Sequence, residues 1–263
     1  MLPALFISHG APNLPLTDAP AARFLRALPE ALAERPSAVL VVSAHWETEV
    51  PVVNAVAVNE TIHDFGGFPR ELYEIRYPAP GSSSLAERAG GLLAAAGLPA
   101  AVDRGRGLDH GAWVPLMLMY PEADVPVVQL SVQSRLGPAH HLALGRVLEP
   151  LRREGVLILG SGSFTHDLSQ FRMRPDIADP EPDWVSGFAD WFESVLAQGR
   201  TADLLDYRRL APHAARNHPT EEHLLPLFVA LGAGGEVAGV RRLHASATYG
   251  VLRMDAYAFG DRS

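Results

Sequence analysis

The chain has 263 residues, is 48% hydrophobic and carries a formal net charge of −8, which supplies a large core and disfavours nonspecific nucleic-acid binding. It has no cysteine, and all 22 basic residues are arginine. Disulfides, thiolate nucleophiles, cysteine-bound zinc, iron–sulfur clusters, Schiff-base lysines and the P-loop lysine are excluded, leaving histidine, carboxylate, hydroxyl and metal chemistry.

The first apolar run, Leu5-Phe6-Ile7-Ser8, ends at His9-Gly10 and reads as a strand. No basic region precedes it, so it is expected to be a first strand and not a signal peptide. The stretch from about Pro20 to Glu34 reads as two short helices or one kinked at Pro29. Ala38 to Val42 is an aliphatic run of the kind buried on both faces of a sheet, and it delivers His45-Trp46-Glu47 at its C-terminal end. In an open α/β sheet that end of a strand is where ligands bind. Val52 to Val58 reads as a further strand. Thr61 to Pro69 (Thr-Ile-His-Asp-Phe-Gly-Gly-Phe-Pro) reads as an aromatic loop that covers a pocket.

Ser82 to Ala96 has helical spacing and stops at Gly97. Ala100 to Asp103 is a short strand, followed by a Gly-flanked loop through Leu108-Asp109-His110-Gly111 and a helix from Val114 to Tyr120. Val125 to Ser131 is another buried-type strand, and Pro138 to Glu154 is helical. Val156 to Gly160 then runs through Ser161-Gly162-Ser163-Phe164-Thr165 to His166. Gly160-Ser161-Gly162 lacks the third glycine and the acidic partner of a dinucleotide loop. No Gly-x-Ser-x-Gly elbow marks a serine hydrolase. Trp184 to Leu196 is a helix whose aromatic residues read as core.

Pro219-Thr220-Glu221-Glu222-His223 is expected to open a helix running to Leu231, with Thr220 as N-cap. The positive end of that dipole would keep a histidine neutral, the form a metal needs. Val237 to His244 and Val251 to Ala258 close the chain as strands. Three strand-like runs that each deliver a histidine, His9, His45 and His166, point to one shared site. His63 and His110 stand in loops able to overhang it. His140 and His141 read as surface, and His213, His218 and His244 receive no role. No apolar run reaches the ~20 residues of a membrane span, so a soluble, cytoplasmic protein forming one domain over 1–263 is expected.

Ser8-His9-Gly10, Val42-Ser43-Ala44-His45-Trp46, the His63 to Pro69 run, Leu108-Asp109-His110-Gly111 and Pro219-Thr220-Glu221-Glu222-His223 together resemble the class III extradiol ring-cleavage dioxygenases. The nearest branch is the DOPA 4,5-dioxygenase type, related to the catalytic subunit of protocatechuate 4,5-dioxygenase. The resemblance runs in order through most of the chain, and the His-Asp-Phe-Gly-Gly-Phe-Pro run is its most specific part. It implies an α/β fold, a three-layer α/β/α domain with a central mixed sheet, and one mononuclear divalent metal. It implies insertion of O2 beside the two hydroxyls of a catechol-type aromatic diol, opening the ring. By motif, His9, His45 and His223 fall on metal-ligand positions. His166 falls on an acid/base histidine that also reaches the metal in zinc-occupied members, and His110 on a second active-site histidine.

The residue types suit that chemistry. Neutral imidazoles on one face of a metal leave positions open for two catechol oxygens. Fe(II) can share electrons with O2, whereas zinc, an alternative occupant, has no redox chemistry. A nearby base must take a catechol proton and an acid must assist ring opening. The wider class uses two histidines and a glutamate, so Glu222 stands beside His223 as the other candidate ligand. A zinc hydrolase on the same histidines and a non-catalytic ligand-binding relative are the rival readings.

Overall fold

The computed structural model describes residues 1–171, 176–235 and 239–260. Its strands are β1 (Ala4–Ser8), β2 (Ala38–Glu47), β3 (Val52–Asn54), β4 (Ala101–Asp103), β5 (Val127–Val132), β6 (Val156–Gly162), β7 (Val240–His244), β8 (Ala247–Thr248), β9 (Leu252–Arg253) and β10 (Ala256–Phe259). Eight form one sheet in the order β4-β3-β5-β2-β6-β1-β10-β7, and β8 pairs with β9 apart from it. β5, β2, β6 and β1 are parallel. β3 and β10 join them antiparallel, which makes the sheet mixed.

β1, β5 and β6 are buried at every residue, as strands covered on both faces must be. Side chains alternate between the faces with the period of a strand. Leu5, Ile7, Val39, Val41, Leu157 and Leu159 share one core with residues of the helices Pro20–Ala27 and His110–Met119. Phe6, Leu40, Val42, Val128, Leu130 and Ile158 share the other with residues of Gly137–Leu148, Asp183–Ala197 and Leu225–Gly234. The result is a three-layer α/β/α architecture. No helix among the described residues is long and apolar enough to cross a membrane.

Several elements differ from their sequence-based bounds. β3 stops at Asn54 and does not continue to Val58. The Asn54 side chain accepts from the N–H of Gln129, on the neighbouring β5, at 2.6 Å and donates to Asn59 Oδ1 at 2.8 Å, side-chain bonds at the point where the ladder ends. The helix expected from Val114 starts at His110, because Asp109 caps it by accepting from the Ala112 N–H at 3.2 Å. Pro115 therefore lies inside the helix instead of its first turn. The helix expected from Thr220 starts at Leu225, with Pro226 in its first turn. A start at Thr220 would have put Pro226 further in, where its missing N–H breaks a helical bond. β7 begins at Val240; Val237 and Ala238 lie outside the described residues.

Candidate active site

β2, β6 and β1 are neighbours, and their C-terminal ends bring three chain segments to one edge of the sheet. His45 stands within the last turns of β2, His9 directly follows β1, and His166 lies four residues past β6. His110 is the first residue of its helix. His223 sits in the turn before Leu225–Gly234, where its carbonyl accepts from the Ser163 N–H at 2.9 Å. Two glycines permit these approaches. A Cβ on Gly162 would run into the His223 carbonyl, and one on Gly111 into Ser43 and the His45 ring.

These five histidines line one cavity of about 590 Å³. His9, His110 and His223 are buried. Phe65, Phe68, Leu168 and Leu252 supply apolar wall. Phe65 stands edge-on to His110, with ring centroids 5.7 Å apart. His63 is not on the cavity: its Nε2 lies 3.1 Å from the Ile75 carbonyl, and its ring packs against Phe65, Tyr73 and Trp113. It anchors the loop whose next residues form the cavity roof.

At the cavity floor three ring nitrogens converge. His45 Nε2 lies 3.1 Å from His9 Nε2 and 3.2 Å from His223 Nε2. The opposite nitrogen of each ring faces an acceptor. His223 Nδ1 is 2.9 Å from Glu222 Oε1, which also accepts from Thr220 Oγ1. His45 Nδ1 is 3.3 Å from Asp64 Oδ2. His9 Nδ1 is 3.1 Å from Ser161 Oγ. That hydroxyl donates its own proton to the Gly111 carbonyl, so toward His9 it can only accept. The Gly111 carbonyl is the one that an N–H at position 115 would have bonded, and Pro115 has none. Each Nδ1 thus carries the proton, and three Nε2 lone pairs face one another.

Burial holds His9, His45 and His223 well below the ordinary histidine pKa, and the neighbouring imidazoles lower them further; for His45 the Asp64 carboxylate pulls the other way. All three are neutral near pH 7. Burial also lowers His166, with help from His218 and His110, to about 3. Burial alone would raise the Asp64 carboxyl, but the His110 and His45 imidazoles offset this and hold it at about 2. The His166 ring stacks on His223, with centroids 3.4 Å apart and planes 12° from parallel. Among the described residues, two groups could hold a metal ion: His9 with His45 and His110, and His166 with Glu222 and His223. Both lie on this floor.

Asp64, Ser161 and Glu222 were not given these places by sequence reasoning. Glu222, the other candidate ligand, lies behind His223, in a stretch where no helix has begun. His141 and His218, expected at a surface and in a polar loop, are fully buried. His141 Nε2 accepts from the Gln133 N–H, and His218 Nε2 lies 2.9 Å from the Phe164 carbonyl.

The model of the family "Catalytic LigB subunit of aromatic ring-opening dioxygenase" matches residues 3–259. A 4,5-DOPA dioxygenase extradiol of Beta vulgaris is 48% identical over 257 residues, 97% of this chain and 95% of that protein. The protein of that name from Escherichia coli (strain K12) is 41% identical over 239 residues, 88% of this chain and 85% of its own. A crystal structure of an uncharacterized Escherichia coli K12 protein superposes with a TM-score of 0.81 at 34% identity, covering 98% of this chain and 99% of that one. With this fold, this floor of histidines and these relatives, the chain belongs to the LigB family and is an aromatic ring-opening, extradiol-type dioxygenase.

Proposed function

We propose that the protein opens the ring of a catechol-type, DOPA-like diol with O2, using one divalent metal held by His9, His45 and His223. The observation that carries this is the convergence of three unprotonated Nε2 atoms, that of His45 lying 3.1 Å from His9 and 3.2 Å from His223. Lone pairs at that spacing repel unless a cation stands between them. Two nitrogens each ~2.1 Å from one ion are themselves roughly 3.0–3.4 Å apart. The donors fit a borderline metal such as Fe(II) or Zn(II), with Fe(II) for catalysis and zinc as an alternative occupant. Bound Fe(II) would supply a Lewis acid for the diol and electrons for O2.

The protein's own groups do the rest. Glu222 spends its carboxylate on His223 Nδ1, which supports histidine as ligand with glutamate behind it. His166 lines the cavity, where it is placed to take a proton from a diol hydroxyl and to return it when the ring opens. A lone pair lies in its ring plane. The His166 ring stacks on the face of His223 and is not one of the three rings whose Nε2 atoms converge. That favours acid/base work for His166 over a fourth-ligand role. His110, 6% exposed at the cavity wall, is placed to hydrogen-bond the substrate, and the apolar roof excludes water.

The test is metal-free protein reloaded anaerobically with Fe(II), then given DOPA or another catechol and air. O2 uptake and a yellow semialdehyde are expected, with none from zinc-loaded protein. Equal colour from zinc, or none from iron across a catechol panel, would overturn the reading.

A further inference from the structure

The Phe-Gly-Gly-Phe loop covers the cavity, yet the residue just before it is charged. Asp64 Oδ1 accepts from the His110 backbone N–H at 2.9 Å and lies 3.0 Å from His110 Nδ1. Its other oxygen lies 3.3 Å from His45 Nδ1. The two imidazoles are themselves close, with centroids 3.9 Å apart. One carboxylate therefore holds the His110 backbone with one oxygen and faces the His45 ring with the other, from a side chain 22% exposed. On either side of it the chain is pinned: His63 to Ile75, Phe65 against His110.

We infer that Asp64 is a positioning residue that fixes the tautomer of His45 and, through the His110 backbone N–H, ties the loop roofing the cavity to the metal-binding floor. A carboxylate only accepts. Facing His45 Nδ1, it keeps a proton there, which leaves His45 Nε2 as an acceptor. For His45 that lone pair is the one turned toward His9 and His223. The inference rests on the ligand assignment proposed above.

Asparagine at position 64 has nearly the same shape but one acceptor and one donor. If its oxygen keeps the His110 N–H, its NH2 must face His45 Nδ1. His45 then accepts there and moves its proton to Nε2, where a metal needs a lone pair. Loss of such an outer partner typically lowers metal affinity ~10–100-fold.

The experiment is zinc affinity of metal-free protein, measured by competition with a chelator, with the Co(II) absorption spectrum as a second readout. Neither needs turnover. Asp64→Asn should bind zinc ~10–100-fold more weakly and give a weakened or shifted Co(II) spectrum. Asp64→Glu, which keeps two acceptor oxygens, should fall between Asp64→Asn and the parent, and it serves if the asparagine variant fails to fold. Tyr73→Ala, off the cavity, loosens the packing of the same loop through His63 and Phe65 without touching either imidazole, and should keep the parent's zinc affinity. In a His110→Ala background, Asp64→Asn should still weaken zinc binding, because its effect on the metal runs through His45. Parental affinity in Asp64→Asn, or an equal loss in Tyr73→Ala, would overturn the inference while leaving the ligand assignment intact. A parent that binds no zinc would overturn both.

Discussion

Ser161 Oγ lies 3.1 Å from His9 Nδ1 and donates to the Gly111 carbonyl, the acceptor that Pro115 leaves without a helical partner. A proline inside a helix would ordinarily be a defect. Here the freed carbonyl fixes the direction of a hydroxyl proton, and the hydroxyl fixes the tautomer of His9. The relation crosses from the helix to β6 to the end of β1.

Ser161→Ala should therefore weaken metal binding without abolishing it. His9 would keep its position between β1 and the cavity, but its Nδ1 proton would lose its acceptor. Second-partner losses of this kind run ~10–100-fold in affinity. The buried Gly111 carbonyl would also go unpaired, a cost of about 1–3 kcal/mol in stability. Chelator competition and thermal melting read the two effects separately. A variant with parental zinc affinity would show that His9 holds its tautomer without Ser161.

What was legible in the sequence divides along the same line. Strands covered on both faces announce themselves as aliphatic runs, so the ends that bear His9 and His45 could be read from Leu5 to Ile7 and Val39 to Val42 alone. The aromatic Gly-Gly loop was readable as a cover, because large apolar side chains without periodicity need something to lie on. The partners of the imidazoles were not readable. Ser161 meets His9 across 152 positions of chain, and Gly160-Ser161-Gly162 looked only like an incomplete nucleotide loop. Its glycines serve packing, Gly160 against the Pro226 carbonyl and Gly162 against that of His223. His141 and His218 were misplaced for a related reason. Each is buried through a backbone partner that composition does not reveal. The helix starts at His110 and Leu225 were not readable either, because they depend on the Asp109 cap and on Pro226 falling in a first turn.

Stability should fall on acidification from near neutrality. His141 and His218 are each held at about 4 by burial, partly offset by backbone carbonyls. Unfolded, each titrates near ~6.5. Below ~6.5 the unfolded chain binds the extra protons first, so the contribution of each neutral histidine is complete above that pH. It is lost at about 1.4 kcal/mol per pH unit per histidine as pH falls from ~6.5 toward 4. The floor histidines His9, His45 and His223 act in the same direction. Melting temperature of the metal-free protein should be level from pH 8 to 7 and decline steadily below 6.5. A flat profile down to pH 5 would contradict the neutral, buried state of these rings.

His166→Ala separates the two roles open to that residue. As an acid/base group it takes part only when a proton moves, and general acid–base contributions are typically ~10²–10⁴-fold. As a ligand it would share in holding the metal even without substrate. Its ring lies flat on His223 at 3.4 Å, while His223 keeps its orientation from Glu222 on the opposite nitrogen. Removing the upper ring of the stack thus leaves the three converging nitrogens and their partners in place. The Fe(II)-loaded variant should bind a catechol with near-parental affinity, hold zinc as tightly as the parent, and lose turnover by ~10²–10⁴-fold. The loss should be smallest where solution pH already favours the ionised diol, because a base is then needed least. Zinc affinity that falls as far as in His223→Ala would make His166 a ligand, and unchanged turnover would leave the proton transfers to His110.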